Sequence, residues 1–143
     1  VGDGKQKIEC EEFVRQRKLP VTFTGFLNQT EIVQAYVASD CLVLPSDYGE
    51  TWGLVVNEAM ACGLPVIVSD HVGCHKDLVY SGQTGDIFPF GDHNALAELL
   101  VLFSSNPANV RSMGKRAKQK VADYSVENVV KGCIEAIKFV CKN

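Results

Sequence analysis

Along this chain, short apolar runs alternate with stretches whose apolar residues recur every three or four positions. The runs read as strands and the periodic stretches as amphipathic helices. Their alternation predicts an α/β domain built on a mainly parallel sheet with helices on both faces. Strands are predicted at residues 21–24, residues 41–44 and Val66–Ser69, with a weaker one at residues 86–88. The two central runs are apolar throughout rather than alternating, as strands covered on both sides are. Helix signals fall between them. Asn28 with Glu31 forms a capping box ahead of Ile32, Val33, Tyr36 and Val37. Gly63 and Pro65 end a helix over residues 53–62. Asp92 caps a helix carrying Leu96, Leu99, Leu100 and Phe103, and Asn106 is a cap with Pro107 at the first helical position. A last helix starts at Ser125, with Val126, Val129, Val130, Cys133, Ile134 and Ile137 on one face.

The opening Val1-Gly2-Asp3-Gly4 reads as the tail of a strand and a tight turn into a helix. A parallel sheet needs a crossover from an earlier strand to place such a helix, so the expectation is a fragment lacking its first strand. Gly2 and Gly4 make half of a G-x-G-x-x-G fingerprint, but Gln6 and Lys7 follow and no third glycine does, which favours a turn over a dinucleotide site.

Length and composition narrow the classes. A chain of 143 residues with no internal repeat or linker suits one domain, residues 1–143, with ample material for a core. Apolar residues at 46% and charged residues at 22% are the balance of a globular protein, and a net charge of −3 gives no reason to expect nucleic acid. The apolar runs are too short to cross a bilayer, and the first residues lack the basic-then-apolar order of a secretory signal. Six cysteines without paired metal spacings favour free thiols in a reducing, cytoplasmic compartment over a disulfide framework. His71, His75 and His93 form no metal constellation, and His71 and His75 read as loop histidines after the strand Val66–Ser69. The basic residues Arg111, Lys115, Arg116, Lys118 and Lys120 lie opposite Val110, Met113, Ala117 and Val121, which favours a solvated helix face over a membrane patch.

Residues 45–70, P-S-D-Y-G-E-T-W-G-L-V-V-N-E-A-M-A-C-G-L-P-V-I-V-S-D, carry the chemistry. Residues 46–52 form a loop at the carboxyl end of a buried strand, the edge where open α/β sheets bind ligands. Gly53 opens a helix, and the amides of Gly53, Leu54 and Val55 offer a seat for a diphosphate at the positive end of the helix dipole. Glu50 stands before that seat, with oxygens suited to sugar hydroxyls. Glu58 lies five residues into the helix, roughly 7.5 Å along its axis, where a carboxylate suits a ribose diol. Trp52 supplies an apolar plate for the sugar.

The pattern from Glu50 through T-W-G-L-V-V-N to Glu58, followed by A-M-A-C-G-L-P-V-I, resembles the signature of the family 4 retaining glycosyltransferases of the GT-B fold. V-T-F-T-G-F-L, A-S-D-C-L-V-L-P-S and S-G-Q-T-G-D-I-F agree with it, and the match runs from Gly2 to about Tyr124. The resemblance implies a two-domain enzyme of which this chain is the C-terminal, donor-binding part. It implies UDP-, GDP- or ADP-sugar as substrate, no cofactor, and retaining transfer of a hexose. Glu50 and Glu58 become the candidate catalytic-site acids. Glu50, Thr51, Trp52 and Gly53 hold the sugar, Leu54 and Val55 the phosphates, and Glu58 the ribose. Gly25 and Phe26, in the G-F-L segment, lie where the base rests. This chain departs from the commonest pattern in having E-T-W-G for E-G-F-G, and the family's phosphate-binding arginine and lysine fall before Gly2.

The expected acceptor, a sugar or lipid-linked glycan, binds through an N-terminal domain, with the whole enzyme peripheral to the inner face of a membrane. The isolated chain is then expected not to turn over, and its exposed apolar surface to favour homo-oligomers. Two other readings stand beside this one: a non-catalytic sugar-nucleotide-binding or interaction module, and a relative of sugar-nucleotide epimerases, against which the spacing of Glu50 and Glu58 argues.

Overall fold

A computed structural model describes residues 1–141, which form two compact units, residues 1–35 and the chain from Tyr36 onward.

In the first unit, helix α1 (Lys7–Arg17) buries none of its residues and ends on Lys18 in a left-handed conformation. The turn before it is tied by the Gly2 amide, which donates to the Gly25 carbonyl at 2.8 Å. Residues 21–24 form no strand. Their V-T-F-T pattern has the β-branched and aromatic content of one. A strand, however, exists only where a neighbouring ladder takes up its amides, and side-chain preference does not supply a ladder. The predicted capping box forms at the start of α2 (Gln29–Val37). Asn28 Oδ1 accepts from the Thr30 and Glu31 amides, and Glu31 Oε2 accepts from the Asn28 amide at 3.0 Å.

The second unit is the predicted α/β sheet. Strands β1 (Leu42–Leu44), β2 (Val66–Ser69) and β3 (Gly85–Phe88) are parallel in the order β1-β2-β3, with Leu42 opposite Val66 and Val66 opposite Gly85. All four residues of β2 are fully buried, so its apolar run is explained by cover on both faces. Helix α3 (Leu54–Ala61) joins β1 to β2 and packs against both strands and against α6 (Pro107–Val121). A short helix α4 (His75–Leu78) follows β2, and α5 (His93–Ser105) follows β3.

One core cluster comprises Ile67 and Phe88 from the sheet, Phe103 from α5, and Val110 and Met113 from α6. The caps read from sequence are in place: Asp92 Oδ1 accepts from the Asn94 and Ala95 amides, and Asn106 Oδ1 from the Asn109 amide. Ser125 Oγ likewise accepts from the Asn128 amide and opens α7 (Val126–Val140), whose apolar face is exposed.

The basic residues of α6 do lie opposite the buried Val110, Met113, Ala117 and Val121. They are not all solvated, however. The Arg116 guanidinium donates to the Gln83 and Gly82 carbonyls at 2.8 and 3.2 Å, closing the turn before β3, and the Lys120 ammonium lies over the Tyr80 and Tyr124 rings.

Candidate functional site

The site grows from the carboxyl ends of the strands. After β1, Asp47 starts a tight turn in which its carbonyl accepts from the Glu50 amide at 3.1 Å and its Oδ1 from the Gly49 amide at 2.8 Å. This turn delivers Glu50, which is half-buried, to the start of α3. Gly53 is the N-cap residue, with φ at +91°, a conformation that glycine adopts without strain. A Cβ there would lie 2.9 Å from Val72 Cγ1, so the close approach of the loop after β2 requires glycine as well.

Because glycine brings no side chain, α3 begins without a side-chain cap. The amides at its first turn point along the positive end of the helix dipole, the physical basis of an anion seat. Leu54 is 68% exposed at that entrance and Val55 half-buried.

Glu58 stands one turn further on, exposed, with its Oε2 accepting a hydrogen bond from the Tyr36 hydroxyl at 2.8 Å. Tyr36 is buried at the end of α2. Burial and then the Glu58 carboxylate keep its hydroxyl protonated well above the ordinary phenol range. Glu58 also borders a groove of about 460 Å³ with Asn57, Lys118 and Tyr124.

Trp52 is oriented from both sides. Its Nε1–H donates to Asn57 Oδ1 at 2.9 Å, and its ring lies 6.1 Å from that of Tyr124. Burial pushes the Cys74 thiol up to about 11, with the Asp77 and Glu50 carboxylates adding to the rise, which puts the Glu50 charge within electrostatic reach of Cys74. The Cys74 amide donates to the Trp52 carbonyl at 3.0 Å, joining the loops after β1 and β2.

Glu50, Thr51, Trp52, Gly53, Leu54, Val55 and Glu58 therefore share one corner of the second unit. Gly25 and Phe26 belong to the first unit, where Gly25 has φ at +69° and Phe26 is 78% exposed. Sequence reasoning passed over Tyr36, because an aromatic in the apolar stripe with Ile32, Val33 and Val37 reads as core. It also passed over the ring contacts of His71. Among the described residues, no group of three or more His, Cys, Asp and Glu is set to hold a metal, and no helix is long and apolar enough to cross a membrane.

The family model for glycosyl transferases group 1 matches residues 1–120. The chain belongs to that family. As a group 1 glycosyl transferase domain it is 35% identical over 128 residues to sulfoquinovosyl transferase SQD2 of Arabidopsis thaliana, covering 87% of this chain and 24% of that protein. It is 32% identical over 133 residues to N-acetyl-alpha-D-glucosaminyl L-malate synthase of Bacillus anthracis, covering 91% and 34%. The chain thus spans about a quarter to a third of the length of these relatives.

Among solved structures, sucrose-phosphate synthase of Thermosynechococcus elongatus superposes with a TM-score of 0.81 at 33% identity, over 96% of this chain and 35% of that one. Anabaena HepE in complex with UDP superposes with a TM-score of 0.85 at 25% identity, over 96% and 39%. The fold is that of the nucleotide-sugar-binding domain of GT-B glycosyltransferases.

Proposed function

We propose that this glycosyltransferase domain holds a nucleoside-diphosphate sugar across the start of α3, for retaining transfer of a hexose to an acceptor sugar or lipid-linked glycan. The observation that carries the reading is the uncapped first turn of α3 set between two carboxylates, Glu50 in the preceding loop and Glu58 one turn into the helix. The Leu54 and Val55 amides face the diphosphate. Glu50, the Thr51–Gly53 backbone and Trp52 take the sugar, and Glu58 takes the ribose diol with the oxygen that Tyr36 leaves open. HepE, whose structure superposes on this chain, is solved in complex with UDP, which supports a nucleotide as part of the ligand.

Chemically, the domain lowers the cost of breaking the bond between the anomeric carbon and the diphosphate oxygen. The leaving diphosphate keeps that electron pair, and the amide dipoles of α3 meet the charge that develops. Neither carboxylate serves as a nucleophile in this scheme, since both grip hydroxyls. The chain spans 24–39% of the relatives and structures named above, and by itself it binds donor without transferring sugar.

Thermal unfolding with UDP-, GDP- and ADP-sugars tests the reading, because a ligand at 100 times its dissociation constant stabilises the fold by about 2.7 kcal/mol. One nucleotide series is expected to raise the transition, and Glu50→Ala and Glu58→Ala to abolish most of the rise. Binding that survives both substitutions unchanged would sink the assignment, and sugar transfer by the purified chain would overturn the division of labour.

A further inference from the structure

The loop that carries Glu50 is fastened to the end of β2 and the segment after it at three places. At one end the Ser69 hydroxyl donates to the Ser46 carbonyl, and at the other the Cys74 amide donates to the Trp52 carbonyl at 3.0 Å. The middle of the loop has no such bond across. There the Tyr48 ring lies flat on the His71 ring, centroids 3.6 Å apart and planes inclined by 16°. His71 is backed on its other side by Phe90, at 4.7 Å and 19°. The three rings come from the loops after β1, β2 and β3, so one stack ties together all three carboxyl ends of the sheet.

Asp70 fixes the far side of the stack. Its Oδ1 accepts from the Phe90 amide at 2.8 Å and lies 3.8 Å from His71 Nε2. His71 Nδ1 is buried without a hydrogen-bond partner, so that nitrogen does not hold the ring in place. Tyr48 is 79% exposed, whereas the His71 side chain is 20% exposed. Tyr48 and Glu50 sit in the same tight turn, closed by the Asp47 carbonyl and the Glu50 amide. Holding the Tyr48 ring in the stack therefore restrains the turn backbone from which Glu50 projects, and releasing the ring frees that turn to move.

We infer that His71 is a positioning residue that sets Glu50 against the donor sugar by clamping Tyr48 in this stack, a role resting on the sugar-binding assignment of Glu50 made above. The clamp acts on the sugar end of the site only. The diphosphate amides belong to α3, and Glu58 is held separately by Tyr36. Loss of the stack consequently weakens the grip on the sugar and leaves the grip on the nucleoside diphosphate intact.

Titration calorimetry with UDP and UDP-glucose, or the corresponding GDP or ADP pair if the unmodified chain binds that base, separates these terms. His71→Ala is expected to weaken the sugar nucleotide by about threefold to tenfold, the free-energy range of one aromatic pair, and to change diphosphate affinity by less than about twofold. His71→Phe keeps the stacked plane and restores the sugar nucleotide affinity. Tyr48→Ala, at an exposed position outside the core, removes the same contact from the other side and reproduces His71→Ala.

The inference is overturned if His71→Ala weakens both ligands equally, if it weakens neither, or if His71→Phe behaves like His71→Ala. An unmodified chain that binds neither diphosphate nor sugar nucleotide would instead remove the donor-binding assignment itself, and this role with it.

Discussion

Replacing Gly114 by alanine sets two effects of opposite sign against each other, and the packing decides between them. Gly114 lies within α6, where alanine is favoured over glycine by about 0.8–1.0 kcal/mol. On helix propensity alone, the substitution stabilises. In the fold, a Cβ on Gly114 would fall 2.0 Å from the Gly63 carbonyl oxygen, 3.1 Å from its carbon and 3.3 Å from Pro65 Cδ. Carbon meets carbonyl oxygen at about 3.3 Å, so α6 and the turn that closes α3 must part by more than about 1 Å. The obstacle is mostly backbone, which has no rotamer to retreat into. Overpacking typically costs about 1–3 kcal/mol, and a backbone clash of this depth belongs at the upper end. The propensity gain offsets less than half of it, leaving a net loss of about 1–2 kcal/mol. Urea unfolding followed by circular dichroism reads this as a lower midpoint at unchanged slope. Because α3 carries Glu58, nucleotide affinity should fall in the same variant. A midpoint equal to or above that of the unmodified chain would refute the contact between α6 and the Gly63 turn.

Four further outcomes follow. Tyr36→Phe leaves no cavity and removes only the bond to Glu58; with that carboxylate exposed, the expected loss is about 0.5–1.5 kcal/mol, and a double-mutant cycle with Glu58→Ala that proves additive would contradict the pairing. Burial and Glu58 raise the Tyr36 hydroxyl above its unfolded value of about 10, so stability is full below that pH and falls as pH rises beyond it, where the unfolded chain ionises first; Tyr36→Phe should show a shallower alkaline loss in unfolding measured at about pH 9 and pH 11. Under iodoacetamide, the exposed Cys10, Cys133 and Cys141 should label rapidly, whereas Cys41 and Cys74 wait for unfolding because burial raises both thiols and leaves little thiolate; early modification of Cys74 in peptide mass spectra would contradict its packing. Gly73→Ala places a Cβ 1.9 Å from the Thr51 carbonyl oxygen, and calorimetry should show sugar nucleotide affinity reduced by about tenfold or more as the Glu50 loop is pushed away.

The parts of this fold legible in the sequence are those whose physics is local. Asp92, Asn106 and Ser125 each accept the amides that a capping residue should, because a cap and its partners lie within three residues. Strand β2 is found at Val66–Ser69, as predicted, since a run buried on both faces needs no alternation to be recognised. Residues 21–24 failed for the converse reason: whether they pair is decided elsewhere in the chain, and their side chains carry no record of it.

The candidate site divides along the same line. Residues 50–55 and Glu58 are contiguous or one helical turn apart, because a helix start presents its amides and its flanking acids together. The groups that hold those acids are not contiguous with them. In a parallel sheet, adjacent strands are joined by a crossover, so the loops after β1 and β2 are neighbours in space while a whole helix separates them in sequence. Ser69, His71, Gly73 and Cys74 all reach back across that gap to residues 46–52, and Tyr36 reaches Glu58 from the helix before β1. A short motif can therefore identify the groups that face a ligand, whereas the groups that fix their orientation come from the next strand over and appear only once the sheet is assembled.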